Sequence, residues 1–246
     1  MKKFQSTGYQ NFINSHVRLN YYIKISTGAV LSLHNTHAKP KELSEVLNQI
    51  IINAGERWTP TILQNPHDAL KLVTNDLAKS GVIWVYSAFD IFFKKIEGEL
   101  SGHFKSENSI SEEESEDKSH KVVELYGKLK WDQTKINELL PILRFYESLR
   151  HSVAHNMGFP SGKIITIYES AEFKEAIDRW TTKFPDRQIS PPPVITNTII
   201  DLKPHHPILY SETCLRIASD INTQLITLLG HGHYIKKIIK KHLLDM

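Results

Sequence analysis

Apolar side chains recur at steps of three and four along most of this chain, and the clearest run begins at Asn65. Leu70, Val73, Leu77, Gly81, Trp84, Ala88 and Ile91 make one helical stripe. Val82, Ile83, Val85, Phe89, Phe92 and Phe93 widen it until the helix is apolar nearly all round, the pattern of a helix in the middle of a bundle or at a subunit interface. Asn65 suits the N-cap and Pro66 the first helical position. Asp68 puts a negative charge in the first turn, and the helix runs to about Leu100.

A second helix is expected over His120 to Leu129, and a third from an Asp132 N-cap, with Ile136, Leu139, Leu140, Leu143, Tyr146 and Leu149 on one face. Asn156 to Gly158 stop that helix, and Pro160 follows. Glu212 to Leu229 reads as a further amphipathic helix ended by Gly230 and Gly232, and a short basic helix closes the chain. From His16 to Leu33 both a strand alternation and a helical stripe fit, and the length of the run favours helix. The Ile-, Val- and Thr-rich stretches Lys163 to Tyr168 and Val194 to Leu202 read as two short strands of an insertion over 163–202, flanking a helix at Ala171 to Phe184. The expected organisation is therefore all-α, with a helical extension over 1–64, a bundle over 65–232 and a basic helix over 233–246.

Composition narrows the class. The single Cys excludes an intramolecular disulfide and a Cys-rich zinc module, and 246 residues are enough for a substantial core. The longest apolar run, Val82 to Tyr86, is far short of the ~20 residues of a membrane span. No apolar stretch follows Met1-Lys2-Lys3, so no signal peptide is expected and the cytoplasm is the expected location. The net charge of +3 hides a division. Residues 106–119 hold six acids and one Lys, a net −5 in a segment that reads as a solvated, disordered loop, and the rest of the chain carries +8.

The residues that can carry chemistry cluster at the end of the helix that starts from Asp132: Glu147-Ser148-Leu149-Arg150-His151-Ser152-Val153-Ala154-His155-Asn156. Glu147, His151 and His155 stack at steps of four. Arg150 and His155 are five apart, so an ideal helix separates them by about 140°. They converge only where the helix unwinds or where a second copy of the segment approaches. Arg-x-x-x-x-His at the end of an apolar helix resembles the signature of HEPN domains, all-helical bundles found in many prokaryotic RNA-cleaving toxins and phage-defence proteins. That pattern is Arg, then usually a polar residue, then His four to six positions after the Arg. Arg150, His151 and His155 fall on those positions, with His151 where Asn is most common. The long earlier helix with Ser87-Ala88-Phe89-Asp90 agrees, and the resemblance covers about residues 65–230.

The resemblance implies a metal-independent endoribonuclease without a cofactor, in which two chains pair so that both motifs face one cleft. It implies His155 as acid/base, Arg150 as phosphate clamp and His151 as an orienting or assisting group, with Asp90 holding Arg150 and Glu147 the local rival for that role. Asn156 belongs to the supporting set. The products would be a 2′,3′-cyclic phosphate and a 5′-hydroxyl, and the partners RNA, a second copy of the chain and an antitoxin or regulatory protein. Independently of the family, His has the ordinary pKa suited to both proton roles near neutrality, and Arg fits phosphate bidentately.

Other readings of the same residues stay open. Arg and His suit a helix C-terminus through its dipole alone. His151 and His155 have the spacing of paired metal ligands but lack a third ligand nearby in sequence. Asp90 also suits an i,i+4 pair with Lys94. Lys236, Lys237, Lys240 and Lys241 suit an RNA backbone, a membrane surface or plain solvent. The alternative to catalysis is a non-catalytic HEPN-like module that binds RNA or a regulatory partner.

Overall fold

The helix that carries the motif is buried on almost every side, and the other elements are laid around it. The computed structural model describes residues 5–36, 39–55, 65–101 and 118–235. The elements are α1 (Thr7–Thr36), α2 (Pro40–Asn53), α3 (Pro66–Leu100), α4 (Lys118–Leu129), α5 (Thr134–Asn137), α6 (Leu140–His155), α7 (Gly162–Glu169), α8 (Ala171–Lys183) and α9 (His205–Leu229). Residues 231–235 are helical as well. The all-α expectation holds, and no strand occurs among the described residues. No helix among them is long and apolar enough to cross a membrane. The acidic residues 106–117 and the lysines at 236, 237, 240 and 241 lie outside the described residues.

α6 touches α3, α4, α5, α7, α8 and α9. Its Ile142, Leu143, Phe145, Tyr146 and Leu149 are fully buried. Phe145 stacks on Phe173 of α8 at 4.5 Å between ring centroids, and Tyr146 stacks on Tyr210 of α9 at 5.0 Å. α3 forms as its caps foretell: the Asn65 side chain accepts from the Asp68 N–H. Its Val82, Val85, Phe89, Phe92, Phe93 and Ile96 enter the core. Burying each such side chain contributes roughly 1.5–3 kcal/mol. α1 is a helix, as the length of its run suggests, and Phe12, Leu19 and Ile23 join the same core cluster. The Phe12 ring meets Phe89 and Phe92 of α3 at 5.7 and 5.8 Å. α1 is also fastened to α9: the Ser6 N–H donates to Asn222 Oδ1 at 2.8 Å, and His16 Nδ1 shares a 2.8 Å hydrogen bond with Ser211 Oγ.

Four expectations need correction. Lys163 to Tyr168 is not a strand but most of α7, because the Ser161 side chain caps the Ile164 N–H and Ile164 is buried against α6. Val194 to Leu202 is irregular rather than β, with Ile200 and Leu202 buried and the Ile200 N–H donating to the Gly158 carbonyl. The single helix expected from Asp132 is broken into α5 and α6. Asp132 Oδ1 does accept from the Thr134 N–H at 3.0 Å. Pro141 then has no N–H for an interior helical bond and sits instead in the first turn of a new helix. α9 starts seven residues before the expected Glu212, at His205, with Pro207 in its first turn.

Gly81 marks the closest approach of three helices. A Cβ built there would lie 2.8 Å from Cβ of Pro207 in α9 and 3.1 Å from Cδ1 of Ile23 in α1. Gly98, on the same helix, has nothing within 4 Å of such a Cβ. Alanine is the better helix former by about 1 kcal/mol at either position. Gly81→Ala is therefore expected to destabilise the protein by about 1–3 kcal/mol through overpacking. Gly98→Ala is expected to be neutral or to stabilise by up to about 1 kcal/mol. Urea denaturation of the two variants reads the difference, and equal midpoints would contradict the packing described.

His206 is buried at the head of α9, and its Nδ1 accepts the Lys203 N–H at 2.9 Å. Burial, with Lys203 and His205 adding to it, lowers its pKa to about 3. The unfolded chain therefore takes up a proton near pH 6.5 that the native chain refuses. The stability His206 contributes is complete above that pH and is lost as pH falls towards 3. Asn preserves an acceptor in place of Nδ1 but does not titrate. Between pH 7 and pH 5 the native protein should lose about 2 kcal/mol more than His206→Asn, measured by denaturant unfolding at each pH.

Candidate functional site

Where α6 emerges from the core it forms one wall of a cleft of about 400 Å³. Tyr86 of α3 and Glu147, Ser148, Arg150 and His151 of α6 line it, with Ser161 and Lys163 at the start of α7. The helical spacing explains the grouping. Glu147, Arg150 and His151 lie three and four residues apart and share one face. α7 is brought back against this face by a turn in which Met157 and Gly158 both take left-handed backbone angles, φ 53° and 89°.

Arg150 is half-buried, and its guanidinium carbon lies 4.3 Å from the centroid of the Tyr86 ring. Such a contact stabilises by ~0.5–2 kcal/mol and holds the planar group in one orientation. Its Nε is shielded from water and has no acceptor among the described residues. An unsatisfied donor of this kind costs ~1–3 kcal/mol, which an incoming acceptor would relieve. Lys163 sits beside it in the first turn of α7, where the helix dipole also favours an anion. Glu147 lines the cleft as well; it is 8% exposed, and its Oε2 accepts the N–H of Ser119 at the start of α4. Behind them Tyr210 lies in the electrostatic field of Glu147, Tyr86 and Arg150, and its burial pushes the phenol well above its ordinary range. The cleft thus presents Arg150, Lys163 and a helix N-terminus to solvent, an arrangement suited to a phosphate.

The two histidines of the motif are both exposed. Their rings are 4.8 Å apart, one helical turn from each other. His151 lines the cleft, and His155 lies beyond it on the same stripe. Arg150 and His155 are not brought to one wall within a single chain, in line with the angle an intact helix imposes. Asn156 closes α6: its N–H donates to the Ser152 carbonyl at 3.0 Å, and its carbonyl accepts the Phe159 N–H at 2.9 Å. Asp90 is ion-paired with Lys94 at 3.0 Å, the i,i+4 alternative, whereas the group seated under Arg150 is Tyr86, one turn earlier on α3. Among the described residues, no group of three His, Cys, Asp or Glu is placed to hold a metal ion.

Tyr86, Ser161 and Lys163 are site residues that the sequence reading does not single out. The start of α7 is hidden by the strand-like composition of Lys163 to Tyr168. Reading Ser161 as an N-cap is the signal that would have revealed it. No protein-family model, curated protein or solved structure matches the chain.

Proposed function

We propose that the protein is a metal-independent endoribonuclease of HEPN type, acting as a homodimer in a toxin or antiviral defence system. The observation that carries the reading is the cleft in which Arg150, seated on Tyr86 with an unsatisfied Nε–H, stands beside Lys163 and His151. Arg150 and Lys163 neutralise the scissile phosphate and its dianionic transition state. A histidine base takes the ribose 2′-OH proton, and a second histidine protonates the leaving 5′-oxygen, giving a 2′,3′-cyclic phosphate and a 5′-hydroxyl.

One chain supplies one Arg and one His to its cleft, and His155 lies just outside it. A second copy completes the set by facing the end of α6. Support for such a face comes from exposed apolar residues beside the motif: Met157 is 83% exposed, and Phe159, Ile195 and Ile199 are exposed as well.

A second reading has an observation in its favour. The groups within the cleft are mainly phosphate-binding rather than proton-transferring, which suits a module that holds RNA without cutting it. Incubation of RNA with the full chain in EDTA separates the two. The nuclease reading expects cyclic-phosphate products, with Arg150→Ala and His155→Ala each slower by at least about 100-fold. Equal cleavage by all three proteins, or none, counts against it. Salt-dependent RNA binding that survives His155→Ala but not Arg150→Ala, with no cleavage, selects the binding module.

A further inference from the structure

The cleft between α6 and α7 has one carboxylate among its lining residues, Glu147, three positions before Arg150 on the same helical face. An acid at that spacing is placed to pair with the arginine and cancel its charge. Glu147 is committed to another element. It is buried, and its Oε2 accepts the Ser119 N–H at 3.1 Å. Ser119 is the second residue of α4, and the first turn of α4 holds no acid of its own. Glu147 therefore supplies from α6 the negative charge that the N-terminus of α4 attracts. Arg150 is left on the ring of Tyr86, with no acceptor for its Nε among the described residues.

The two charges are close to each other. Burial pushes the Tyr210 phenol up, and of the charges around it Glu147 raises it further while Arg150 lowers it. A charge-assisted hydrogen bond from a buried N–H at the positive end of a helix outweighs an i,i+3 pair with a half-buried arginine. Without that N–H the ranking reverses, because a buried carboxylate that has lost its donor must be neutralised, and Arg150 is within its reach.

We propose that the N-terminus of α4 sets the charge of the α6–α7 cleft: by holding Glu147 it keeps Arg150 available to clamp a phosphate. Ser119 and Glu147 are positioning residues, and Arg150 is the group that meets the ligand. The inference rests on the phosphate-binding character of the cleft, which the nuclease reading and the binding-module reading share.

Fluorescence anisotropy of the full chain with a labelled 2′-O-methyl RNA oligonucleotide, which has no 2′-OH to react, tests this. The wild type should bind, and Arg150→Ala should bind at least about tenfold more weakly. Glu147→Asp keeps the charge but withdraws it by one methylene from Ser119, at a spacing that still pairs with Arg150, and should weaken binding to the same degree. Glu147→Gln keeps an acceptor for Ser119 and should tighten binding, because a negative charge leaves the cleft. Ser119→Pro deletes the N–H in a first helical turn, where proline is tolerated. It should weaken binding at least about tenfold alone and less than about threefold in the Glu147→Gln background, a rescue that damage to the fold would not show. If Ser119→Pro does not fold, the contrast of Asp with Gln at position 147 decides alone. Wild-type affinity in Glu147→Asp, equal weakening by Asp and Gln, or a folded Ser119→Pro that Glu147→Gln does not rescue overturns the inference and leaves the reading of the cleft standing. No binding by the wild type, or none lost in Arg150→Ala, overturns that reading and the inference with it.

Discussion

The burial of α6 is the constraint from which the rest follows. A helix enclosed by α3, α4, α5, α7, α8 and α9 cannot carry charged side chains on its buried faces unless each meets a specific partner. Glu147 meets it in the Ser119 N–H and Arg150 in the face of Tyr86. Apart from Arg144, the same helix is exposed only in its last turns, so His151 and His155 are exposed while Arg150, just before them, is half-covered. The chemistry of this end of the molecule is therefore a gradient along one helix, from apolar core through a clamped cation to free imidazoles. The scaffold gives that gradient rigidity, since residues on a packed helix are held more tightly than residues on a loop.

Two arginines on different helices are treated alike. Arg150 rests on Tyr86, and Arg216 rests on Trp180 and Phe184. In both cases an aromatic face restricts the guanidinium, and in both a buried Nε has no acceptor among the described residues, although Arg216 also donates to Glu212. A lysine at either position could not be held this way, because its charge sits at a flexible point rather than on a plane. At Arg150, restraint by a ring rather than by a carboxylate keeps the positive charge available to a ligand.

How much of this was legible in the chain depends on how local its cause is. The start of α3 is written in Asn65, Pro66 and Asp68, and these act within one turn of each other. The motif is legible as residue types, because Arg and His carry their chemistry wherever they stand. The β-branched run from Lys163 misled, because propensity is a weak preference that a Ser161 cap and one buried face at Ile164 overturn. With α7 unseen, Lys163 could not be placed beside Arg150. The exchange of Asp90 for Tyr86 under Arg150 is a matter of one turn of register between α3 and α6, set by tertiary packing that no periodicity in either segment encodes. The break at Pro141 is a local effect, yet the helical spacing on either side of it reads as one continuous helix.

The fastening of α1 to α9 has a consequence for the order in which the molecule can be completed. Ser6 and Asn222 are 216 residues apart in the chain, and His16 and Ser211 are 195 apart. During synthesis α1 can be laid against α3 as soon as α3 is made, but the partners on α9 arrive only more than a hundred residues later. Until then Ile23 and Gly81 form a seat without its third member, the one Pro207 fills. Closing so long a loop is slow, and the surface it leaves open in the meantime is apolar. Maturation of the α6–α7 cleft is thus a late event, because the α6 helix that walls it is backed by Tyr210 of α9, stacked on Tyr146.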